Sequence, residues 1–299
     1  NRGYACSVIC EQQIGVVSPD IEVLRVEPTS QRSRWKSMQV FRERVDVLLR
    51  ERFDGLSVLV HSHERSLSHH VTTFHGPTID PGGKASWFAR LNPRLRAWKQ
   101  MEHHELLHPR VQCILPVSSI VRAEILADYP ELSDMRLELA WPGVQGLPEP
   151  FDDDHSQCGL SPRMLFVGQD WKRKGLLRAV DIVARYRETD QNASLTIYGV
   201  QPETLPASIR AMSWVSCEGW SASIPWERYD ILIHPAKKEP FGMVVAEARA
   251  HGLAVLMSDR VGASDLEFQN TRVMALDASI EQWVLGLRDL IALPVRSAE

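Results

Sequence analysis

Short runs of apolar and β-branched residues alternate along this chain with longer stretches whose apolar positions return at helical spacing. The short runs, Ala5–Cys10, Ile21–Val26, Val58–His61, Val71–His75, Cys113–Val117, Met164–Val167, Leu195–Tyr198, Ile231–His234 and Leu253–Met257, predict strands. The longer ones, Ser33–Arg52, Ala85–Leu107, Ser119–Asp128, Gly175–Arg187, Gly242–Ala250 and Ile280–Ile291, predict helices. Strands that alternate with helices build parallel sheets through right-handed crossovers, so the expected class is α/β.

The pattern lapses between residues 144 and 161. Pro148, Pro150, the acidic run Asp152–Asp154 and Gly159 fall there, with Pro162 just beyond, and no apolar period runs through them. A linker at this point divides the chain into two α/β domains, residues 1–147 and 148–299, and the cleft between such halves is where a ligand is expected. With 299 residues, each half is long enough to bury a core of its own. Hydrophobic residues at 44% and charged residues at 24% fit a globular protein. A formal net charge of -4 lacks the basic excess of a broad nucleic-acid surface, yet leaves room for a local cationic site. Cys6, Cys10, Cys113, Cys158 and Cys217 show no C-x-x-C spacing and read as reduced thiols. No run approaches the ~20 apolar residues that span a bilayer, and no signal peptide is read at the start. The expectation is a soluble cytoplasmic protein, with a peripheral contact to the inner membrane face left open.

One stretch concentrates the chemistry: HPAKKEPFGMVVAEARAHGLAVLMSD, from His234 to Asp259. A strand ends at His234, a loop with Pro235, Pro240 and Gly242 follows, and a helix opens near Met243 and stops at Gly252. Glu239 precedes this helix and Glu247 lies about one turn into it. Both carboxylates thus flank a helix N-terminus at the carboxyl end of a strand, where open α/β sheets bind ligands. Free amides at Gly242, Met243 and Val244 favour an anion there. Carboxylates beside an anion repel it unless they face neutral hydroxyls, and a nucleotide sugar offers both. A second loop, FVGQDWKRKG from Phe166 to Gly175, carries Lys172, Arg173 and Lys174 from a strand into a helix. Cations there suit a diphosphate, Arg as a bidentate fork and Lys as a point charge.

These two segments resemble the retaining glycosyltransferases of family four, whose hallmark is E-P-F-G-x-x-x-x-E-A. This chain reads Glu239-Pro240-Phe241-Gly242, then Glu247-Ala248. The resemblance implies a GT-B fold, two Rossmann-like domains with parallel sheets facing a cleft, the second domain holding a nucleoside diphosphate sugar. It implies that Glu239 holds donor-sugar hydroxyls, that Glu247 holds the ribose, and that the turn of Pro240, Phe241, Gly242 and Met243 borders sugar or phosphate. It carries the diphosphate role onto Arg173 and Lys174, after Gly168. Gln169 stands where many members have a further arginine. Gly219, within Glu218-Gly219-Trp220, falls where the family places a turn beside the nucleobase, with Tyr198-Gly199 near the same ligand. Trp220 itself is expected in the core.

The likeness is looser in the first half. His61-Ser62-His63-Glu64-Arg65 and Thr73-Phe74-His75-Gly76-Pro77 each follow a strand, and the family has a histidine near the reacting carbon at the second place, which points to His75. His61 and His63 share a strand face but lack a third metal ligand at sensible spacing. Leu91-Asn92-Pro93, Val117-Ser118-Ser119 and H-S-H-E-R are similar to lipopolysaccharide-core members of the family. The family begins with a strand, a glycine-rich loop and a helix. Asn1 to Tyr4 reads as the end of that helix, so the first domain is expected to lack its first strand and glycine-rich loop, with lowered stability and little turnover.

The reaction implied by the resemblance is a retaining transfer of a hexose or heptose from a nucleoside diphosphate sugar to a hydroxyl of a glycan or glycolipid acceptor, in lipopolysaccharide or other cell-envelope glycan synthesis. His75, Glu239, Lys174 and Arg173 are its catalytic candidates. Neither a metal nor any other cofactor is implied, and no nucleic-acid partner. A sugar-nucleotide epimerase on the same fold and a non-catalytic nucleotide-sugar-binding protein stay open as alternatives.

Overall fold

The computed structural model describes residues 3–80, 82, 86, 91–132, 136–144, 161–267 and 269–292. The chain divides into two compact units, Asn1–Val117 with Val121–Ala140 and Ser118–Ile120 with Trp141–Glu299. The expected division at residues 147 and 148, the run Asp152–Asp154 and Cys158 lie outside the described residues.

In the first unit, β1 (Cys6–Cys10) pairs in parallel with β2 (Ile21–Arg25). A separate parallel sheet holds β3 (His61–Ser62), β4 (Val71–Phe74) and β5 (Cys113–Pro116) in that order. Among the described residues three helices accompany them, α1 (Arg34–Phe53), α2 (Pro93–Leu107) and α3 (Ser119–Asp128), the last of which belongs to this unit from Val121 onward. Asn92 caps α2 by accepting the Arg94 N–H at 2.9 Å, and Pro93, whose missing N–H is no loss there, opens the helix. Of the helix expected from Ala85, residues 85 and 87–90 fall outside the described set. The strand expected over Val58–His61 shrinks to its end. The Val60 N–H donates to His70 Nδ1 at 3.0 Å instead of a neighbouring strand, and Leu59 is exposed.

The first unit's core, which includes Met101, Leu106, Ile114, Val121 and Ile125, is threaded by charge. Arg65 reaches Glu102 at 3.2 Å and Glu105 at 3.5 Å, and both carboxylates are buried. Glu102 also accepts the Ile79 N–H at 2.8 Å and the Tyr129 hydroxyl at 2.9 Å, while Thr72 donates to Glu105 at 2.9 Å. Such partners are what make a buried carboxylate tolerable. Burial still pushes Glu105 up to about 7, with Arg65 pulling the other way.

The second unit is built on six parallel strands: β6 (Arg163–Val167), β7 (Ser194–Tyr198), β8 (Val215–Gly219), β9 (Ile231–His234), β10 (Ala254–Ser258) and β11 (Thr271–Met274). Their order is β11-β10-β9-β6-β7-β8. The central strands are covered on both faces, as parallel sheets are, so Met164–Phe166, Leu232–Ile233 and Val255–Met257 are continuous apolar runs without measurable exposure. The helix α4 (Leu176–Tyr186) buries Leu176, Ala179, Val180, Ile182, Val183 and Tyr186, the stripe of an amphipathic helix. Beside α4 packs α7 (Ile280–Ala292), which contributes Trp283, Val284, Leu287 and Leu290. Between them in sequence come the one-turn α5 (Ala207–Arg210) and α6 (Met243–Ala250). Neither β8 nor β11 was expected from the pattern. Both are edge strands paired on one side only, and Glu218 and Arg272 interrupt their apolar character. Among the described residues no helix is long and apolar enough to cross a membrane.

Candidate functional site

Strand order reverses between β6 and β9: the chain runs outward through β7 and β8, then returns to β9 on the other side of β6. Loops leaving the carboxyl ends of those two neighbours open toward one crevice, the place where doubly wound sheets take ligands. They are the loop from Gly168 to Gly175 and the loop from Pro235 to Gly242, the two segments singled out by sequence. The loops are tied to each other. The Lys237 N–H donates to the Arg173 carbonyl at 2.8 Å, and Gly175 lies so close to Pro235 that a Cβ would stand 2.0 Å from its carbonyl oxygen.

Four functional groups meet where the loops touch. Arg173 Nη1 lies 3.1 Å from the Glu239 carboxylate and donates to the Lys238 carbonyl at 2.5 Å. Lys174 Nζ is 3.5 Å from the same carboxylate, and His234 Nε2 is 3.8 Å away. The Lys174 stem crosses Gly168, where a Cβ would fall 2.1 Å from its Cδ, so the missing side chain gives the lysine its path. Glu239 is clamped by its backbone as well, its N–H on the Arg260 carbonyl at 2.9 Å and its carbonyl on the Gly262 N–H at 3.0 Å. Burial alone would raise the Glu239 pKa, but His234, Lys174 and Arg173 outweigh it and hold the group at about 2. His234 is fully buried, which lowers its pKa, and the two cations add to that against the pull of Glu239. Its imidazole is therefore neutral at physiological pH.

The Glu239 carboxylate, expected from sequence to hold donor hydroxyls, faces two cations in this structure, an arrangement dictated by the contact between the loops. Glu247 sits half-buried on α6, and among the described residues its carboxylate makes no ion pair or hydrogen bond. Gly242 takes the left-handed φ of 97° that turns the loop into α6, followed by the first-turn amides of Met243. Pro240 is half-buried and Phe241 buried. His234 was missed, since a histidine closing an apolar strand has no local signature.

A cavity of about 430 Å³ borders the Gly168–Gly175 loop, lined by Gln169, Trp171, Gly199, Gln201, Thr204 and Trp220. It lies over the carboxyl ends of β6, β7 and β8. Trp220, expected in the core, is 63% exposed and forms part of this wall. Gly219, with φ of 72°, makes the turn that presents it. His75 belongs to the first unit, directly after β4, with its Nε2 3.2 Å from His63 Nδ1 and the His61 ring beyond. Among the described residues no group of three or more His, Cys, Asp or Glu is placed to hold a metal ion.

Residues 161–292 match the family model described as glycosyl transferases group 1. A search of the curated proteins found no relative of this chain. Among solved structures, the chain is similar to WaaG, a glycosyltransferase involved in lipopolysaccharide biosynthesis, at 20% identity and a TM-score of 0.75, over 98% of this chain and 83% of that one. It is also similar to the sucrose-phosphate synthase of Thermosynechococcus elongatus, at 17% identity and a TM-score of 0.68, over 98% and 81%. With the lipopolysaccharide outer core galactosyltransferase WaaB it shares 16% identity and a TM-score of 0.58, over 93% and 77%. The fold is that of the GT-B glycosyltransferases, and the part of the chain that is similar to glycosyl transferases group 1 is residues 161–292.

Proposed function

We propose that this domain binds a nucleoside diphosphate sugar and that the chain transfers the sugar, with retention, to a hydroxyl of a glycan or glycolipid. The observation that carries the reading is the cluster of Arg173, Lys174 and Glu239 at the point of strand reversal, beside a cavity walled by Trp171 and Trp220. The base and ribose fit the cavity, with an indole face for stacking and Gln201 to meet a base edge. The diphosphate then lies toward Arg173 and Lys174 and the first turn of α6. Carrying more negative charge than one carboxylate, it competes with Glu239 for the cations and releases Glu239 toward donor hydroxyls. As the glycosidic bond breaks, charge grows on the departing diphosphate, and cations already held in place stabilise it without reorganisation. The acceptor proton can pass to the diphosphate itself, so the reading needs no carboxylate base. Glu247 is assigned to the ribose, and His75, with the first half of the chain, to the acceptor side. Similarity to WaaG, of lipopolysaccharide biosynthesis, and to the galactosyltransferase WaaB supports an envelope glycan and a hexose; a heptose as the other donor sugar and synthesis at the inner face of the membrane belong to the same proposal.

Thermal-shift measurements with a panel of nucleoside diphosphates and their sugars test the binding directly, because a ligand held only by the folded state raises the melting temperature. Lys174→Ala is expected to lower donor affinity or transfer rate by about a hundredfold, the cost of losing one such hydrogen-bond donor, and Glu239→Ala to weaken transfer sharply by removing the acceptor for the sugar hydroxyls. Wild-type behaviour of both variants would sink the assignment. Product analysis with and without acceptor separates transfer from epimerisation, which needs none.

A further inference from the structure

A second cavity in the same unit, of about 700 Å³, shares Trp171 with the first. Its apolar walls are Trp171, Leu177, Leu276 and Ile280. A single exposed leucine such as Leu177, at 51%, is ordinary. One that joins a tryptophan, a second leucine and an isoleucine around a space of ligand size is a built apolar surface. The lining also holds two lysines, Lys172 and Lys237, and one aspartate, Asp181; Lys172 Nζ lies 5.3 Å from the centroid of the Trp171 ring, at the rim of the apolar wall. Arg178 also lines the space, but its guanidinium donates to the Leu276 and Ala278 carbonyls and lies 5.5 Å over the Trp283 ring, so it serves the frame. The balance left to an incoming group is positive.

We propose that this cavity binds a soluble amphipathic anion. An apolar chain or ring packs against Trp171, Leu177, Leu276 and Ile280, and one acidic head meets Lys172 and Lys237. Gly175 and Pro235 also line it, and they form the joint between the two loops that carry Arg173, Lys174 and Glu239. An occupant bears on that joint and on the tryptophan shared with the first cavity, which makes this an effector site for the first. The effector role rests on the nucleotide reading above; the binding itself does not.

Titration of the full chain with anilinonaphthalene sulfonate, an aromatic anion that fluoresces in apolar surroundings, tests the site. Saturable one-to-one binding is expected, weakened about tenfold or more by Leu177→Asp, which sets a charge against the apolar body. Lys237→Glu is expected to weaken it at least about threefold and to abolish the preference over neutral phenylnaphthylamine. Both side chains are exposed, so the variants keep the fold, which melting curves verify; Lys237→Glu carries the test alone if Leu177→Asp does not fold. Binding unchanged in the variants overturns the site. Binding to phosphatidylglycerol vesicles that the substitutions weaken, with the free probe unaffected, makes this face a membrane contact and likewise overturns it. For the effector role, saturating probe is expected to change the affinity for uridine diphosphate by about threefold or more, and the nucleotide to change the probe's affinity by the same factor. Unchanged nucleotide affinity overturns that role. A chain that binds the probe and no nucleotide supports the cavity and counts against the nucleotide reading alone.

Discussion

Glu239 is held by Arg173, Lys174 and His234 at once, and that fixes the sign of its pH dependence. Its pKa of about 2 in the folded chain lies below the ordinary 4.5, so its stabilisation is complete above pH 4.5 and lost as pH falls through 2. The difference amounts to on the order of 3 kcal/mol. Urea midpoints of wild type and Glu239→Gln should therefore converge as pH falls from about 5 toward 2, the variant being the weaker protein above that window. Midpoints a constant distance apart would show that the ion pairs do not act this way. Glu105 has the opposite sign. Its pKa of about 7 is raised by burial, so the folded state is fully favoured below pH 4.5 and loses stability as pH rises through 7. Glu105→Gln removes the titration and should gain on wild type between pH 5 and 8, by up to about 3 kcal/mol in the first unit's transition. A variant with the wild-type pH profile would contradict the burial argument. The amphipathic spacing that reveals a helix says nothing about such groups, because α2 places Glu102 and Glu105 inside while its sequence looks like a solvated face.

Elements that bury a regular apolar stripe were legible. The six residues of α4 that face the core repeat at helical spacing, and the α6 loop announces itself through Glu239-Pro240-Phe241-Gly242 and the stop at Gly252. What the sequence hid were edge strands with a charge in them, the exposure of Trp220, and the contact between loops that turns Glu239 toward cations. Such contacts depend on which strands are neighbours, and strand order is not written in any one segment. Gly175 sits on that hidden contact. It combines a φ of 81° with a Cβ position 2.0 Å from the Pro235 carbonyl oxygen, two backbone constraints that cannot relax independently. Gly219 has a similar φ of 72° but no atom within 3.8 Å, the nearest being Gln201 Oε1 at 3.9 Å. Gly219→Ala should therefore cost only the backbone strain, about 1–2 kcal/mol. Gly175→Ala should cost more than about 3 kcal/mol and abolish nucleotide binding, since the loops must part to admit the methyl group. Equal melting temperatures for the two variants would refute the close approach.

At the scale of the whole chain, the two units differ in how their sheets are held. β6 is paired on both sides, by β7 and β9, and its Met164, Leu165 and Phe166 are sealed within a core that draws on α4 and α7. β1 and β2 pair only with each other among the described strands, Val8 is 42% exposed, and a two-stranded sheet is marginal without further cover. Local opening free energies range from near zero to the global value, according to the burial each hydrogen bond enjoys. Backbone amides of β6, β9 and β10 should therefore exchange with deuterium at least about a hundredfold more slowly than those of β1 and β2. The loops 168–175 and 235–242 should fall between these limits and slow further when a nucleoside diphosphate is added, because the ligand stabilises the state in which they touch. Uniform protection across both units would mean that the first unit is fastened by something other than its own pairing. Slowing confined to residues outside the two loops would place the nucleotide elsewhere, and with it the origin of the positive charge that the departing diphosphate requires.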